Sequence, residues 1–196
     1  MMRIGLDIDN VISDFDKGLL EAFINEDKNK RNTGIINENA HITKGMFDWT
    51  NEEIKVFFLT KMEELAKCLT LRDDAKYYMD KMLKDGHELY LITHRSNTEY
   101  SDPYNLTCEW LEKNDIHYTK LILSKTPDKS DECKENKVDI MIDDRVSQCK
   151  RMIANGINCL AMATRYNGDD LQDIDHVNTW KELYEYIKKL EKRNRR

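Results

Sequence analysis

Arg3-Ile4-Gly5-Leu6-Asp7-Ile8-Asp9-Asn10-Val11 is the stretch that decides how this chain is read. It opens as a short apolar, β-branched run, the pattern of a buried strand. It then delivers two aspartates, Asp7 and Asp9, where the strand ends. Side chains alternate along a strand, but where the chain curls into a loop both carboxylates reach one cavity. Two carboxylates in one cavity repel each other and call for a cation or a shared proton. Read locally, the same residues are also a strand running into a polar turn, with Asp9-Asn10 as the turn.

A second doublet separates the two readings. Val138-Asp139-Ile140-Met141-Ile142-Asp143-Asp144 is again an apolar run ending in adjacent carboxylates. Between the two doublets lies Leu89-Tyr90-Leu91-Ile92-Thr93-His94-Arg95, an apolar strand ending in a hydroxyl and then cationic groups. In an open parallel sheet, groups at the carboxyl ends of the strands gather in one crevice. Three such strands bring acids, a threonine and positive groups to one edge. That set suits Mg²⁺ and phosphate, because a hard cation takes oxygen ligands and a phosphoryl group takes donors and positive charge.

In motif order, Asp7-Ile8-Asp9-Asn10-Val11, then Ile92-Thr93, then a lysine, then Ile142-Asp143-Asp144 resembles the four-motif signature of the haloacid dehalogenase (HAD) superfamily of phosphohydrolases. The longer run Asp7 to Phe15, with Met141-Ile142-Asp143-Asp144-Arg145, resembles its 5'(3')-deoxyribonucleotidase-like branch. The resemblance spans nearly the whole chain. It is specific for the superfamily and less so for the substrate.

Composition agrees with a globular α/β protein. The chain has 196 residues, 40% of them hydrophobic and 35% charged, enough for one α/β domain with a sizeable insertion or for two small domains. A formal net charge of −6 argues against a nucleic-acid polymer as partner, which usually meets a basic face. A small anionic substrate fits, because a local cavity can be positive even on an acidic protein. Cys68, Cys108, Cys133, Cys149 and Cys159 are scattered, with no C-x-x-C pair, and read as reduced thiols. No stretch approaches the roughly 18 apolar residues of a membrane span, and the first strand begins at once. A cytoplasmic address is the expectation.

Along the chain, Phe15, Leu19, Phe23 and Ile24 recur at helical spacing, and residues 25–39 read as an irregular polar connection. Thr50 or Asn51, followed by Glu52-Glu53, predicts a helix N-cap ahead of Ile54, Phe57, Phe58, Met62 and Leu65. Ala75, Met79, Met82 and Leu83 predict another helix, stopped by Gly86. From Glu88 onward strands and helices alternate, the sign of a parallel sheet. Strands are expected near 88–92, 119–123, 139–142 and 157–162, with helices near 104–114, 130–136, 146–155 and 179–192. The closing basic run, Lys192 to Arg196, reads as a solvated helix end.

The expected fold is thus a Rossmann-like parallel sheet of about five strands with helices on both faces. Residues 1–13 and 75–196 form its core, and 14–74 form an inserted helical unit. The resemblance implies that this insertion is the HAD cap and that the strand order is 5-4-1-2-3.

The resemblance also implies roles. Asp7 would be the nucleophile, forming an aspartyl-phosphate, and Asp9 the acid/base. Mg²⁺ would be bound by the Asp7 carboxylate, the Asp9 main-chain carbonyl and an acid of the second doublet. Asp144 is the first choice for direct ligand and Asp143 its neighbour; either could instead cap the next helix. Thr93 would bind phosphate, as would Lys129, which is ranked ahead of Lys125 and Lys137. His94 and Arg95 follow Thr93 at the same edge, and His94 is a candidate for substrate contact. Phe15 matches an aromatic that packs against the base in this branch; Phe47 and Trp49 are offered as further stacking partners or as ordinary core. The function expected is a Mg²⁺-dependent phosphomonoesterase acting on nucleoside monophosphates. The alternatives are another small phosphomonoester, such as a sugar phosphate, and an idle phosphate-binding regulatory module.

Overall fold

A computed structural model describes residues 1–194. The last two residues of the basic run, Arg195 and Arg196, lie outside the described residues. By internal packing the chain divides into two compact units. The first holds Met1–Ser13, Leu71–His94 and the chain from Leu111 onward; the second holds Asp14–Thr70 and Arg95–Trp110.

The first unit is the α/β core. Its strands are β1 (Arg3–Leu6), β2 (Glu88–Thr93), β3 (Lys120–Leu123), β4 (Ile140–Asp143), β5 (Cys159–Met162) and β6 (His176–Val177). All pairings are parallel, in the order β3-β2-β1-β4-β5-β6. The first five strands thus stand in the expected order 5-4-1-2-3. The correction is a sixth strand outside β5. It is two residues long and sits in a polar segment, so no apolar run announces it.

Alternation along the buried strands splits the apolar side chains between two faces. Tyr90, Ile92, Met141, Cys159 and Ala161 share one cluster with Cys133 of the helix Ser130–Glu135 and with Val146, Cys149 and Met152 of the helix Val146–Ala154. Alternating with them are Ile4, Leu6, Leu89, Leu91, Ile140 and Ile142, all fully or almost fully buried. A helix at Ala75–Lys84 packs on β2 and against the C-terminal helix Trp180–Asn194. Gly5 is needed where β1 passes β4: a Cβ there would stand 2.6 Å from Met141 Sδ. Trp180 Nε1 donates to Val11 O (2.9 Å) and ties the C-terminal helix to the loop after β1. All five cysteines are free thiols.

The second unit is helical, built on α1 (Phe15–Lys30) and α2 (Asn51–Cys68). Thr50 caps α2 through a complete capping box with Glu53. Phe23 stacks on Trp49 at 4.6 Å between ring centroids, with Phe47 and Phe57 tilted around them. Asp27, 1% exposed, accepts from Trp49 Nε1 (2.8 Å) and Gly34 N (2.8 Å), which fastens the polar connection after α1 to this cluster. Asp14 N donates to Thr70 O (2.8 Å), closing the two ends of the insertion.

Residues 95–110 were expected with the core and pack instead with the helical unit. Ser101 donates through N and Oγ to Glu63 (3.0 and 2.7 Å), and Trp110 Nε1 donates to Leu69 O (2.9 Å). These are contacts between residues far apart in sequence, and no local pattern encodes them.

Candidate active site

The site lies at the carboxyl ends of the neighbouring strands β2, β1 and β4. Thr93 is the last residue of β2, Asp143 the last of β4, and Asp7 follows β1 directly. Asp7 N still donates to Ile142 O (2.9 Å), so the ladder between β1 and β4 runs one residue past the strand and delivers Asp7 beside Asp143. Ile8 N donates to Asp7 Oδ1 (2.8 Å) as the chain turns into its loop.

Asp7, Asp143 and Asp144 each bring one carboxylate oxygen to within 4.8 Å of the others. Asp7 and Asp143 are buried and Asp144 half-buried. Lys129, the residue ahead of the helix Ser130–Glu135, is buried too, with Nζ 2.8 Å from Asp7 Oδ2 and 2.6 Å from Asp143 Oδ2. Lys125 and Lys137, its rivals from sequence, are exposed. Asp9 is near enough to act on the Asp7 charge, and Ser13 Oγ donates to its Oδ1 (3.2 Å).

Electrostatics follow from the crowding. Burial pushes the Asp7 carboxyl above its usual range; the Lys129 ammonium opposes the shift, and Asp143 and Asp9 add to it. Burial, with Asp143 and Asp7 alongside, pushes Asp144 well above that range. Burial alone would lower Lys129, but Asp143 and Asp7 outweigh it and raise it. One ammonium among three carboxylates leaves negative charge uncompensated in a low-dielectric place. A donor set made only of hard oxygens, carrying excess negative charge, fits a hard divalent cation such as Mg²⁺.

Thr93 is 1% exposed, and its carbonyl accepts from Ser124 N (2.8 Å). His94 Nδ1 lies 3.0 Å from Ser124 O. A carbonyl only accepts, so Nδ1 carries a proton and Nε2 is the ring nitrogen turned elsewhere. Arg95 is buried and bonds Thr107 Oγ1 within the helical unit (3.1 Å).

The aromatic candidates all belong to the helical unit. Phe47 and Trp49 are 3% and 9% exposed, each spent on packing against Phe23. Phe15, the first residue of α1, is half-buried.

Sequence reasoning passes over three residues that the structure adds to the site. Asn10 Nδ2 donates to Asp144 Oδ2 (3.0 Å). Asn167 Nδ2 donates to Asp144 O (2.8 Å), and Arg72 Nη1 donates to Asn10 O (2.5 Å). Asn10 lies within the opening stretch, where its place beside Asp9 is a signal of sorts. Arg72 and Asn167 sit in connections without pattern.

The family described as "5' nucleotidase, deoxy (Pyrimidine), cytosolic type C protein" matches residues 1–194. This chain belongs to that nucleotidase family. It is 28% identical over 199 residues to the "Putative nucleotidase YqfW" of Bacillus subtilis (strain 168), covering 95% of this chain and 94% of that protein. The nucleotidase-family fold recurs in solved structures. A "predicted phosphatase" from Clostridium acetobutylicum superposes with a TM-score of 0.66 at 14% identity, covering 96% of this chain and 98% of that one. A haloacid dehalogenase-like family hydrolase from Streptococcus pneumoniae gives 0.62 at 15% identity, covering 95% and 98%. As a member of the family, the chain is a phosphoric monoester hydrolase, and its fold is the one those haloacid dehalogenase-like structures share. Among the described residues no helix is long and apolar enough to cross a membrane.

Proposed function

We propose that this nucleotidase-family member hydrolyses (deoxy)nucleoside monophosphates in a Mg²⁺-dependent reaction through an aspartyl-phosphate on Asp7. The observation that carries the reading is the buried convergence of Asp7, Asp143, Asp144 and Lys129 at the carboxyl ends of β1 and β4. A regulatory module that merely binds phosphate has no use for this arrangement, which concentrates negative charge where an anion must enter.

In this reading an Asp7 carboxylate oxygen forms a bond to phosphorus while the ester P–O bond breaks. Asp9 is the acid that delivers a proton to the leaving nucleoside oxygen. Water then attacks phosphorus, Asp9 takes a proton from it, and inorganic phosphate leaves Asp7 free again. Ser13 Oγ, held between Ile8 O and Asp9 Oδ1, keeps the Asp9 carboxylate in place for both transfers. Thr93 and Lys129 bind the phosphoryl oxygens, and His94 offers Nε2 to the substrate. Mg²⁺ would be held by the Asp7 carboxylate, the Asp9 main-chain carbonyl and Asp144, with Asp143 alongside, and would supply charge neutralisation at the phosphoryl group. A cytoplasmic site of action is part of the same reading, since free thiols stay reduced there.

EDTA is expected to abolish phosphate release, with Mg²⁺ restoring it and Ca²⁺ restoring little. The smaller ion holds near-octahedral geometry, whereas Ca²⁺ takes more ligands and a looser site. Full turnover in EDTA would leave the acidic cluster without this role.

The leaving group is the less constrained half. Phe47 and Trp49 are sealed in their own cluster, so a base stacked on either would require that cluster to open. Phe15 carries the nucleotide reading, and the burial of the other two is what favours a different small phosphomonoester as the second reading. Phe15→Ala is expected to lower kcat/KM for a nucleoside monophosphate by about fivefold, the scale of one well-placed aromatic contact of roughly 1 kcal/mol, and to spare a small aryl phosphate. A phosphatase panel with both proteins decides. Equal losses on both substrates reduce Phe15 to packing, and a sugar phosphate leading the wild-type panel selects the second reading.

A further inference from the structure

Three carboxylates in one buried site must be held against their own repulsion, and the structure divides that work. Lys129 binds Asp7 and Asp143 directly. Asp144 is held by two amides. Asn10 Nδ2 donates to its Oδ2 (3.0 Å), and Asn167 Nδ2 donates to its main-chain carbonyl (2.8 Å).

Asn167 is 8% exposed and fully engaged. The same Nδ2 donates to Met162 O (2.9 Å), and its Oδ1 accepts from Thr164 N (2.8 Å). One side chain therefore joins the loop after β4 to the end of β5 and the loop beyond it. Arg72 makes the matching joint on the other side. Its guanidinium donates to Asn10 O (2.5 Å) and to Ala163 O (3.1 and 3.2 Å). Asn10 itself has a φ of 61°, a left-handed conformation that Asn tolerates better than most residues and that aims its amide at Asp144.

The loops after β1, β4 and β5 lie beyond the strand ladders that set their register. Asn10, Arg72 and Asn167 replace those ladders with side-chain bonds: Asn10 and Asn167 each bond Asp144, and Arg72 ties the Asn10 main chain to Ala163 after β5. We infer that Asn10 and Asn167 are positioning residues that hold Asp144 in the geometry the divalent cation requires, with Arg72 bracing them. The inference rests on the Mg²⁺ reading above. It adds that affinity for the ion depends on uncharged side chains outside its ligand set, as outer partners of ligating carboxylates commonly set it.

The test is Mn²⁺ binding to the substrate-free protein, followed by the loss of the free-ion paramagnetic resonance signal. Asn167→Ala removes one hold and Asn10→Gly the other. Glycine keeps the positive φ, so Asn10→Gly deletes the amide with little backbone cost. Asp144→Asn serves as the control for the site itself. Asn167→Ala and Asn10→Gly are each expected to raise the Kd for Mn²⁺ by about 10- to 100-fold. A Kd within about twofold of wild type for Asn10→Gly, whatever the folding of Asn167→Ala, would overturn the inference. Wild-type protein with no saturable Mn²⁺ site sensitive to Asp144→Asn would instead overturn the metal reading beneath it. A lower thermal midpoint with unchanged Mn²⁺ affinity would make these residues loop staples only.

Discussion

Asp7→Asn is expected to abolish phosphate release, with a loss in kcat on the order of 10⁴-fold or more, the scale seen when a covalent nucleophile is removed. An amide of nearly the same shape replaces a carboxylate that, in this reading, both attacks phosphorus and binds the cation. It is a poor nucleophile and a weak ligand for a hard ion. The fold should survive the change. Asp7 is buried beside Asp143, and its carboxyl is already pushed up by burial, so neutralising it relieves desolvation and repulsion while giving up one contact with Lys129. Steady-state phosphate release and a thermal melt on the same preparation separate the two outcomes. Substantial turnover by a well-folded variant would reassign the nucleophile. A collapsed melting point would mean that the pair with Lys129 is structurally indispensable.

Asp7 is conspicuous in the sequence because of the way parallel sheets expose function. β1, β2 and β4 are buried on both faces, so each appears in the sequence as an unbroken apolar run. The polar residue that ends each run then marks the sheet edge where ligands bind. Asp7, Thr93 and Asp143 are legible for that reason. Lys129 is legible only through the resemblance, because in a chain with 31 Lys and Arg residues no single one announces itself. Its burial is what singles it out. Arg72 and Asn167 are invisible in the sequence because they act through side-chain bonds to main-chain carbonyls, which leave no periodicity. β6 is invisible because an edge strand of two residues has no apolar run to show. Phe47 and Trp49 have two readings open from sequence, packing or stacking on a base, and the sequence does not rank them. A large ring is recruited to a core and to a ligand wall by the same chemistry, and only its neighbours distinguish the cases. Phe23 and Phe57 are those neighbours.

The second large effect concerns Lys129, and it has a pH signature. Lys129→Met keeps the length and removes the charge. In the reading offered above it deletes a donor to the phosphoryl group, and kcat/KM should fall by about 10²–10³-fold, the usual cost of losing one preorganised electrostatic contact at the reacting group. It should also destabilise the protein by roughly 3–5 kcal/mol near neutral pH, because Asp7 and Asp143 are left buried without their ammonium. Asp7 supplies the signature. Its carboxyl is already above the ordinary value of 3.8, and losing the Lys129 ammonium that opposes the shift pushes it further up. A carboxyl whose folded value exceeds its unfolded one binds more protons in the folded state. Stability therefore falls as pH rises above the unfolded value. The gap between Lys129→Met and wild type should be small near pH 4, where Asp7 is largely protonated in the folded variant, and should widen steadily towards pH 7.5. Urea unfolding at several pH values measures this gap directly, and it needs neither metal nor substrate. A gap that stays constant with pH would mean that the lysine contributes packing rather than charge. A variant as stable as wild type at pH 7.5 would mean that the acids relax away from one another once freed. In that case Lys129 would be what brings Asp7 and Asp143 together.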